Sequence, residues 1–285
     1  MMAPAAVFLA LFVAYPLGKL IVDSFFEFSA GFGATRTFVG IENYADALGS
    51  ESFQAAALRT VAYTVIVVAL EFVLGFAAAL MFNAIGRGSQ ALRTLFLYPL
   101  MIAPIVAGIL WKFLLIDNFG ILGAILKSVG VLSNANDIRW LSDPGIVLFS
   151  VALPDIWLTT SFMCLIFYAG LQNLDPEVLE AARIDGASGP SLLLRIVLPL
   201  MRPVIAVALV VRMIDAVRAF DIILVMTDGG PQSASQTLSL LVYRTMTRYG
   251  EPGLASAMST LYLIAMLVVA VVAIRFIWTP SKETR

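Results

Sequence analysis

Residues 171–202, LQNLDPEVLEAARIDGASGPSLLLRIVLPLMR, are the stretch from which the fold can be inferred. Asp175 is a favourable N-cap residue, the proline after it suits the first helical position, and Gly186 can end a helix. A second helix start at Ser188–Pro190 leads into SLLLRIV, which Pro199 is expected to end. The stretch therefore predicts two short helices joined by a tight turn.

The first of these two helices would present charged and small residues side by side. Glu180 and Asp185 are expected to be exposed beside the small residues Ala181, Ala182 and Ala187. Small side chains let the backbone of a partner come close. The surface is therefore expected to contact another protein.

The rest of the chain has the composition of an integral membrane protein. Of its 285 residues, 60% are hydrophobic and 13% are charged, and the mean hydropathy is +0.94. Soluble proteins average roughly 25% charged residues. The 18 basic and 19 acidic residues give a net charge of −1, which excludes binding of nucleic acid through a basic surface.

Two residue counts exclude several kinds of chemistry. The sequence contains no histidine, so histidine-dependent triads and histidine-ligated metal sites are excluded. The single cysteine, Cys164, can form neither an intramolecular disulfide nor a thiolate cluster. We therefore expect neither zinc nor redox chemistry in this chain.

Six segments are long and apolar enough to cross a bilayer, which takes roughly 20 residues. They are approximately 3–22, 56–82, 94–115, 145–170, 203–226 and 254–277. An even number of spans places both termini and the stretch 171–202 on one side, and the distribution of basic residues favours the cytoplasm for that side. Two shorter apolar segments are expected on the opposite side: 120–131 as an interfacial or re-entrant piece, and 238–249 as a helix along the outer membrane surface. The whole chain, 1–285, is predicted to form one transmembrane domain.

Charged residues inside the predicted spans need partners. The fifth span carries Arg212, Asp215, Arg218 and Asp221, spaced by three. Each charge at mid-bilayer costs about 2.5–3.5 kcal/mol, so these residues are not expected to face lipid. They form either a structural ladder of ion pairs along one helix or the polar lining of a solute pathway. Glu71 has no partner within the second span and is expected to hydrogen-bond to another helix rather than to carry protons.

The fourth span has polar residues near its middle, in the sequence LPDIWLTTSF. Asp155, Trp157 and Thr159 supply a carboxylate, an aromatic face and a hydroxyl, which are groups that bind a polyhydroxylated solute. The alternative is that Asp155 pairs with Arg212 or Arg218 and contributes to packing alone.

The stretch 171–202 also resembles a known family. Glu180-Ala181-Ala182, then Gly186, Ile196 and Leu198-Pro199, match the spacing of the EAA loop of binding-protein-dependent ABC importer permeases. Residues 98–111 (YPLMIAPIVAGILW), 220–231 (FDIILVMTDGGP) and 253–259 (GLASAMS) are similar to the carbohydrate branch, with its maltose-type and glycerol-phosphate-type members, and to the first permease of its heterodimer. The charged fifth span departs from the family pattern.

The resemblance implies a type I ABC importer permease fold: an all-α polytopic protein with six transmembrane helices, a core region at 56–277 and a cytoplasmic coupling helix between helices 4 and 5. It further implies a prokaryotic cell membrane location, with a second permease subunit, two copies of an ABC ATPase subunit, an extracytoplasmic solute-binding protein and membrane lipid as partners. The residues expected to couple to the ATPase are Glu180, Ala181, Ala182, Asp185, Gly186, Ala187, Ile196, Leu198 and Pro199.

The function implied is import of a sugar or polyol, driven by ATP hydrolysis in the partner subunits. The chain has no GxxxxGK[ST] loop, so ATP and Mg²⁺ are expected in the partners and no cofactor in this chain. The expected solute pathway comprises Asp155, Trp157, Thr159, Arg212, Asp215, Ala216, Arg218 and Phe220. Two alternatives stay open: an anionic solute such as glycerol phosphate, and an ion-coupled secondary carrier.

Overall fold

The structure, a computed structural model, describes residues 7–28, 35–85, 90–134 and 136–277. A π-helical turn, Ala10–Ala14, leads into the first α-helix, and a short antiparallel pair of strands follows it, with Phe26 opposite Phe38. The helices and strands in chain order are α1 Tyr15–Asp23, β1 Phe26–Phe28, β2 Arg36–Phe38, α2 Glu42–Gly49, α3 Glu51–Ile85, α4 Gln90–Leu97, α5 Pro104–Leu115, α6 Ile121–Ser128, α7 Val147–Gln172, α8 Pro176–Ile184, α9 Gly189–Leu200, α10 Arg202–Val217, α11 Asp221–Met226, α12 Leu238–Thr247 and α13 Pro252–Ile277.

The chain divides into two compact units. The first comprises Met1–Val61 and Gln236–Val269. Its buried apolar side chains come from α2, α3, α12 and α13, with Ala47, Phe53 and Met258 among them. Inside this unit the Asn43 amide donates to the carbonyl oxygens of Ser24 and Phe26, at 2.9 and 3.1 Å. These bonds satisfy backbone acceptors at the end of α1 and in β1.

The second unit comprises Ala62–Ser235 and Ala270–Arg285. Its apolar core lies between α3, α7 and α10, and includes an aromatic cluster in which the ring of Phe167 lies 5.4 Å from that of Phe72 and 5.5 Å from that of Phe76. The helices come close because Gly75 faces Met163: a Cβ added at Gly75 would lie 2.7 Å from the Met163 Cβ. The helix pair α3 and α7 therefore forms the frame of this unit.

Three of the helices in the described part of the chain, α3, α7 and α13, are long and apolar enough to cross a membrane. Two bent pairs raise the count to five if each pair is one span: Gln90–Met101 with α5, bent by 97°, and α9 with α10, bent by 70°. Of the first predicted span, 3–22, residues 7–22 are helical and 3–6 lie outside the described residues. The count of six spans stays a prediction.

Two of the predicted spans are not single helices, which corrects the sequence interpretation. The segment 94–115 breaks before Pro104, because proline disfavours helical geometry in the preceding residue and Ala103 is extended. The segment 203–226 breaks after Val217 and resumes at Asp221, whose carboxylate favours a helix N-terminus. The predicted ladder of charges along one continuous helix therefore ends at the break.

The stretch 171–202 folds into two helices, as predicted. The Asp175 side chain caps α8 by accepting from the Glu177 N–H at 2.9 Å, and Gly186 follows the helix with φ of +88°. The prediction that Pro199 ends the second helix is wrong, since α9 continues to Leu200. A π-helical turn at Leu193–Val197 precedes the proline and widens the helix where proline breaks the ordinary bonding pattern.

We expect Gly75→Ala to lower the free energy of unfolding by about 1–3 kcal/mol, because the new methyl group would collide with the Met163 Cβ and with the Cys164 backbone nitrogen at 3.0 Å. Gly18→Ala is the control, since nothing lies within 4 Å of a Cβ at that position of α1. Equilibrium unfolding in detergent checks both variants. Equal stability of the two would contradict the close contact of α3 and α7.

Candidate functional site

The second unit holds a buried arginine that is bonded to another helix. Arg212, on α10, is 2% exposed. Its Nε lies 2.5 Å from Oε2 of Glu71 on α3, and its Nη2 lies 2.8 Å from the other oxygen of that carboxylate. The pair is bidentate, which is the geometry that a planar guanidinium and a carboxylate prefer. Glu71 is completely buried, so the two charges neutralise each other away from solvent.

A third helix joins this pair through Asp155 on α7. Its Oδ1 lies 2.7 Å from the Nη2 of Arg212, and the hydroxyl of Tyr63 donates to its other oxygen at 3.0 Å. Thr159, one turn along α7, donates its hydroxyl to Glu71. Helices α3, α7 and α10 are thus connected by one network, which we call the Arg212 network: Arg212, Glu71, Asp155, Thr159 and Tyr63.

The network reaches the surface through Asp215. Its carboxylate lies 2.8 Å from the Nη1 of Arg212 and 3.9 Å from the Nη2 of Arg218. Asp215 and Arg218 are exposed, at 57% and 63% of their side-chain areas, whereas Arg212 is buried. The charged segment, from Arg212 to Arg218 at the end of α10, therefore has a buried part that bonds to other helices and an exposed part that can meet a ligand.

A pocket of about 190 Å³ lies where α10 ends and the chain turns into α11. The exposed part of the charged segment lines it, together with the aromatic ring of Phe220 and the start of α5. Among the described residues that line it are three carboxylates and two guanidinium groups, and one of the guanidinium groups is that of the neutralised Arg212. The lining residues are Pro104, Asp155, Arg212, Asp215, Arg218, Ala219, Phe220, Asp221 and Ile222.

The structure brings together most of the residues that sequence analysis placed on a solute pathway. Asp155, Arg212, Asp215, Arg218 and Phe220 line the pocket. The alternative interpretation of Asp155 also describes a contact that the structure contains, because this residue pairs with Arg212. The same side chain therefore takes part in a helix-to-helix contact and in the wall of the pocket.

Three of the expected pathway residues do not line the pocket. Thr159 bonds to Glu71 inside the network, and Ala216, 1% exposed, is buried on α10. Trp157 lies two positions after Asp155 on α7, about 200° around the helix, and its ring is 6.2 Å from that of Trp111. Asp155 and Trp157 therefore do not share this pocket, whose aromatic face comes from Phe220.

Comparisons with known proteins agree with this architecture. Residues 71–278 match the family model described as the binding-protein-dependent transport system inner membrane component. The chain belongs to this family. It is 36% identical over 240 residues to the trehalose/maltose transport system permease protein MalF of Thermococcus litoralis, covering 84% of this chain and 80% of that protein. It is 32% identical over 279 residues to the sulfoquinovosyl glycerol transport system permease protein SmoG of Agrobacterium fabrum, covering 98% and 89%.

A solved structure has the same fold. The chain aligns with a bacterial ABC transporter involved in the import of the acidic polysaccharide alginate, with a TM-score of 0.84 and 22% identity over 99% of this chain and 95% of that one. The type I ABC importer permease fold expected from the EAA loop is therefore confirmed. The permease is a transport component of the inner membrane, and family membership decides against the ion-coupled secondary carrier.

Sequence analysis missed two members of the Arg212 network. Glu71 was expected to bond to another helix, and the structure shows that bond, but it was not grouped with the site. Tyr63 carried no signal, because a tyrosine in an apolar span is typical of ordinary packing. A signal for this contact was present in the sequence. A carboxylate in one apolar span and an arginine in another, such as Glu71 and Arg212, are expected to pair because charges inside a membrane need partners.

We expect Arg212→Met to lower the free energy of unfolding of the permease by about 3–5 kcal/mol, because it leaves the carboxylates of Glu71 and Asp155 buried without a counter-charge. Adding Glu71→Gln to this variant should recover part of the loss, since the two residues are in contact. Unfolding in detergent measures both.

Arg218→Met is the matched control for this prediction. It also removes an arginine from the charged segment, but this residue is 63% exposed and its ion pair is long. A loss of at most about 1 kcal/mol is expected for such a pair. Equal losses for the two arginine variants would show that burial of Arg212 has no role in stability.

Proposed function

We propose that this chain is the permease subunit of an ATP-driven importer that carries a neutral sugar or polyol across the prokaryotic cell membrane. Membership of the binding-protein-dependent transport family carries the proposal. A second permease subunit, two ATPase subunits that bind ATP and Mg²⁺, and an extracytoplasmic solute-binding protein would complete the complex. Both termini and the stretch 171–202 would lie in the cytoplasm.

The surface of α8 supports its assignment as the coupling helix. Ile184 is 86% exposed in the isolated chain, and the charged residues Glu180 and Asp185 are exposed near it. A large apolar side chain with this exposure, next to charges, is typical of a protein interface rather than of a solvated helix. We propose that α8 enters a cleft of the ATPase subunit, with Ala181, Gly186 and Ala187 allowing the close approach. Ala182, which was expected on the same surface, is buried within this chain and is not part of that face.

The connection from α8 to the pocket supports the mechanism. Helix α9 follows α8 after a short turn, bends at Met201 and continues as α10, which carries Arg212. In this proposal Ile196, Leu198 and Pro199 hold α9 against the second unit, in which Val197 and Met201 are buried. A displacement of α8 by the ATPase would then move α10 and the pocket as a rigid body.

The charges of the pocket favour a neutral solute. Arg212 is paired with three carboxylates, those of Glu71, Asp155 and Asp215, so its charge is already neutralised and is not available to an anion. The carboxylates of Asp215 and Asp221 line the pocket and outnumber the remaining cation, Arg218. Carboxylates accept hydrogen bonds from sugar hydroxyls and the ring of Phe220 can cover an apolar sugar face. An anionic solute, such as glycerol phosphate, is the alternative, since Arg218 is exposed.

We expect Ile184→Asp to weaken attachment of the ATPase subunits by roughly thirtyfold, which corresponds to about 2 kcal/mol for a buried interface anchor. Copurification of the ATPase with the tagged permease, and ATP-driven uptake into proteoliposomes, measure the effect.

The matched control for this variant is Ile41→Asp. Ile41 is also an exposed isoleucine, at 74%, but it precedes α2 in the first unit, in a segment predicted to lie outside the cell. This variant should retain the ATPase. Normal attachment in Ile184→Asp, or equal losses in both variants, would rule out α8 as the coupling helix.

We expect Asp215→Asn to raise the KM for uptake of a neutral disaccharide by about tenfold, since hydrogen bonds to a charged group contribute about 1.5–3 kcal/mol. Arg218→Gln should change that KM by less than threefold. Uptake of trehalose and maltose into proteoliposomes containing the full complex checks both, with glycerol phosphate as the anionic comparison. The opposite order, a large effect of Arg218→Gln and uptake of the phosphate ester, would establish an anionic solute.

A further inference from the structure

An apolar groove of about 680 Å³ lies between α3, α4, α5 and α7, on the side of α7 that faces away from Asp155. Three of its side chains, Met81, Leu92 and Leu95, are 50% to 66% exposed, so it is open along the surface of the second unit. Its ring-bearing residues include Trp111 and Trp157. The lining residues are Leu74, Ala78, Met81, Phe82, Leu92, Leu95, Phe96, Pro99, Trp111, Leu153, Ile156, Trp157, Thr160 and Ser161.

A second pocket, of about 330 Å³, adjoins this groove and shares Phe82 and Phe96 with it. Its character is different, because Gln90, Arg93, Thr94 and Tyr168 contribute polar atoms to it. The two pockets together form an elongated surface that is apolar over most of its length and carries one cation near one end. We call this surface the Arg93 groove.

The guanidinium of Arg93 is available to bind an anion. It lies over the ring of Tyr168, with the central carbon 4.7 Å from the ring centroid, and its buried Nε has no hydrogen-bond partner. Among the residues that the structure describes, no carboxylate pairs with Arg93, and none of those lining the Arg93 groove is acidic. A partly desolvated guanidinium without a counter-ion attracts an anion.

The cationic end of the groove is the end of α7 at which the stretch 171–202 begins. Helices α3 and α7 run in the same direction, because the Gln172 amide at the end of α7 donates to Asn83 near the end of α3, at 2.6 Å. Helix α4 begins there at Gln90. In the predicted orientation this end meets the cytoplasmic leaflet, whose surface is rich in anionic lipid.

We propose that the Arg93 groove binds one anionic phospholipid of the cytoplasmic leaflet. An acyl chain would lie along the apolar part, past Trp111 and Trp157, and the phosphate would bind at Arg93 with Gln90 and Thr94 beside it. The apolar lining and the single cation match an amphiphile with a charged head. A transmembrane helix of another subunit would cover the apolar part but would leave the guanidinium without an anion.

Quenching of the fluorescence of Trp111 and Trp157 measures lipid binding in the groove. The full chain with Trp140→Phe and Trp278→Phe retains Trp111 and Trp157 as its only tryptophans. We expect dibrominated phosphatidylglycerol to quench their fluorescence at about one-fifth of the bilayer fraction needed with dibrominated phosphatidylcholine, since one basic residue at an anionic surface contributes about a fivefold preference. Equal quenching by the two lipids would overturn the proposal.

Arg93→Gln tests the headgroup contact and should reduce the fivefold preference to about one. The control is Arg202→Gln, which removes an exposed arginine at the same predicted membrane face but outside the groove, and should keep the preference. If both variants lose it equally, the preference reflects the total charge of the surface and not a site, and the proposal is wrong.

The assembled transporter provides the second test. Native mass spectrometry of the complex released from membranes should show one retained phosphatidylglycerol that Arg93→Gln loses. If phosphatidylglycerol binds the isolated chain but is absent from the complex, a neighbouring subunit covers the groove, and the lipid assignment is overturned. Neither outcome depends on the solute or on the role of α8, so the proposed function is tested separately.

Discussion

The second unit depends on the pairing of each charge inside the membrane with a group of opposite charge. Arg212 meets this requirement with carboxylates from two other helices, Glu71 on α3 and Asp155 on α7. Outside such contacts each of these groups would cost several kcal/mol in hydrocarbon. The apolar contacts around Phe167 would tolerate sliding of one helix past another, but the bidentate bond to Arg212 would not. The ion pairs therefore set the register of the three helices.

The same requirement divides the end of α10 into a part that packs against other helices and a part that faces the pocket. The buried part, at Arg212 and Ala216, faces the other helices, and the exposed part, at Asp215 and Arg218, faces the pocket. The helix ends at Val217, between Asp215 and Arg218, and the irregular backbone that follows lines the pocket. Irregular backbone at membrane depth is tolerated in such a place, since polar groups in the cavity or water can satisfy it. The break after Val217 is therefore tolerated because it lies beside the pocket.

Local chemistry could be predicted from the sequence, and long-range geometry could not. The cap at Asp175 and the helix end at Gly186 depend on residues within a few positions, and both were predicted. The partner of Glu71 lies 141 positions away, so the sequence indicated that a partner was needed but not which one. Trp157 is close to Asp155 in the sequence but does not line the pocket, because residues two positions apart on a helix point to nearly opposite sides. The six-span count follows from the lengths of the apolar segments and the coupling residues follow from the resemblance, and both stay predictions.

The network also constrains which solutes the pocket can accept. An anion that bound Arg212 would have to draw it away from Glu71 and Asp155, and the two carboxylates would then remain buried without their counter-charge, at a cost of about 3–5 kcal/mol. Only the exposed Arg218 could meet an anion without that cost. In the proposed function a hydroxyl-bearing neutral solute would have no such cost, because it would donate to the exposed carboxylate of Asp215 while Arg212 kept its buried bonds. One protein of similar fold belongs to an ABC transporter involved in the import of an acidic polysaccharide, so the fold alone does not select a neutral solute. In this chain a preference for a neutral solute would follow from the pairing of Arg212 with Glu71 and Asp155.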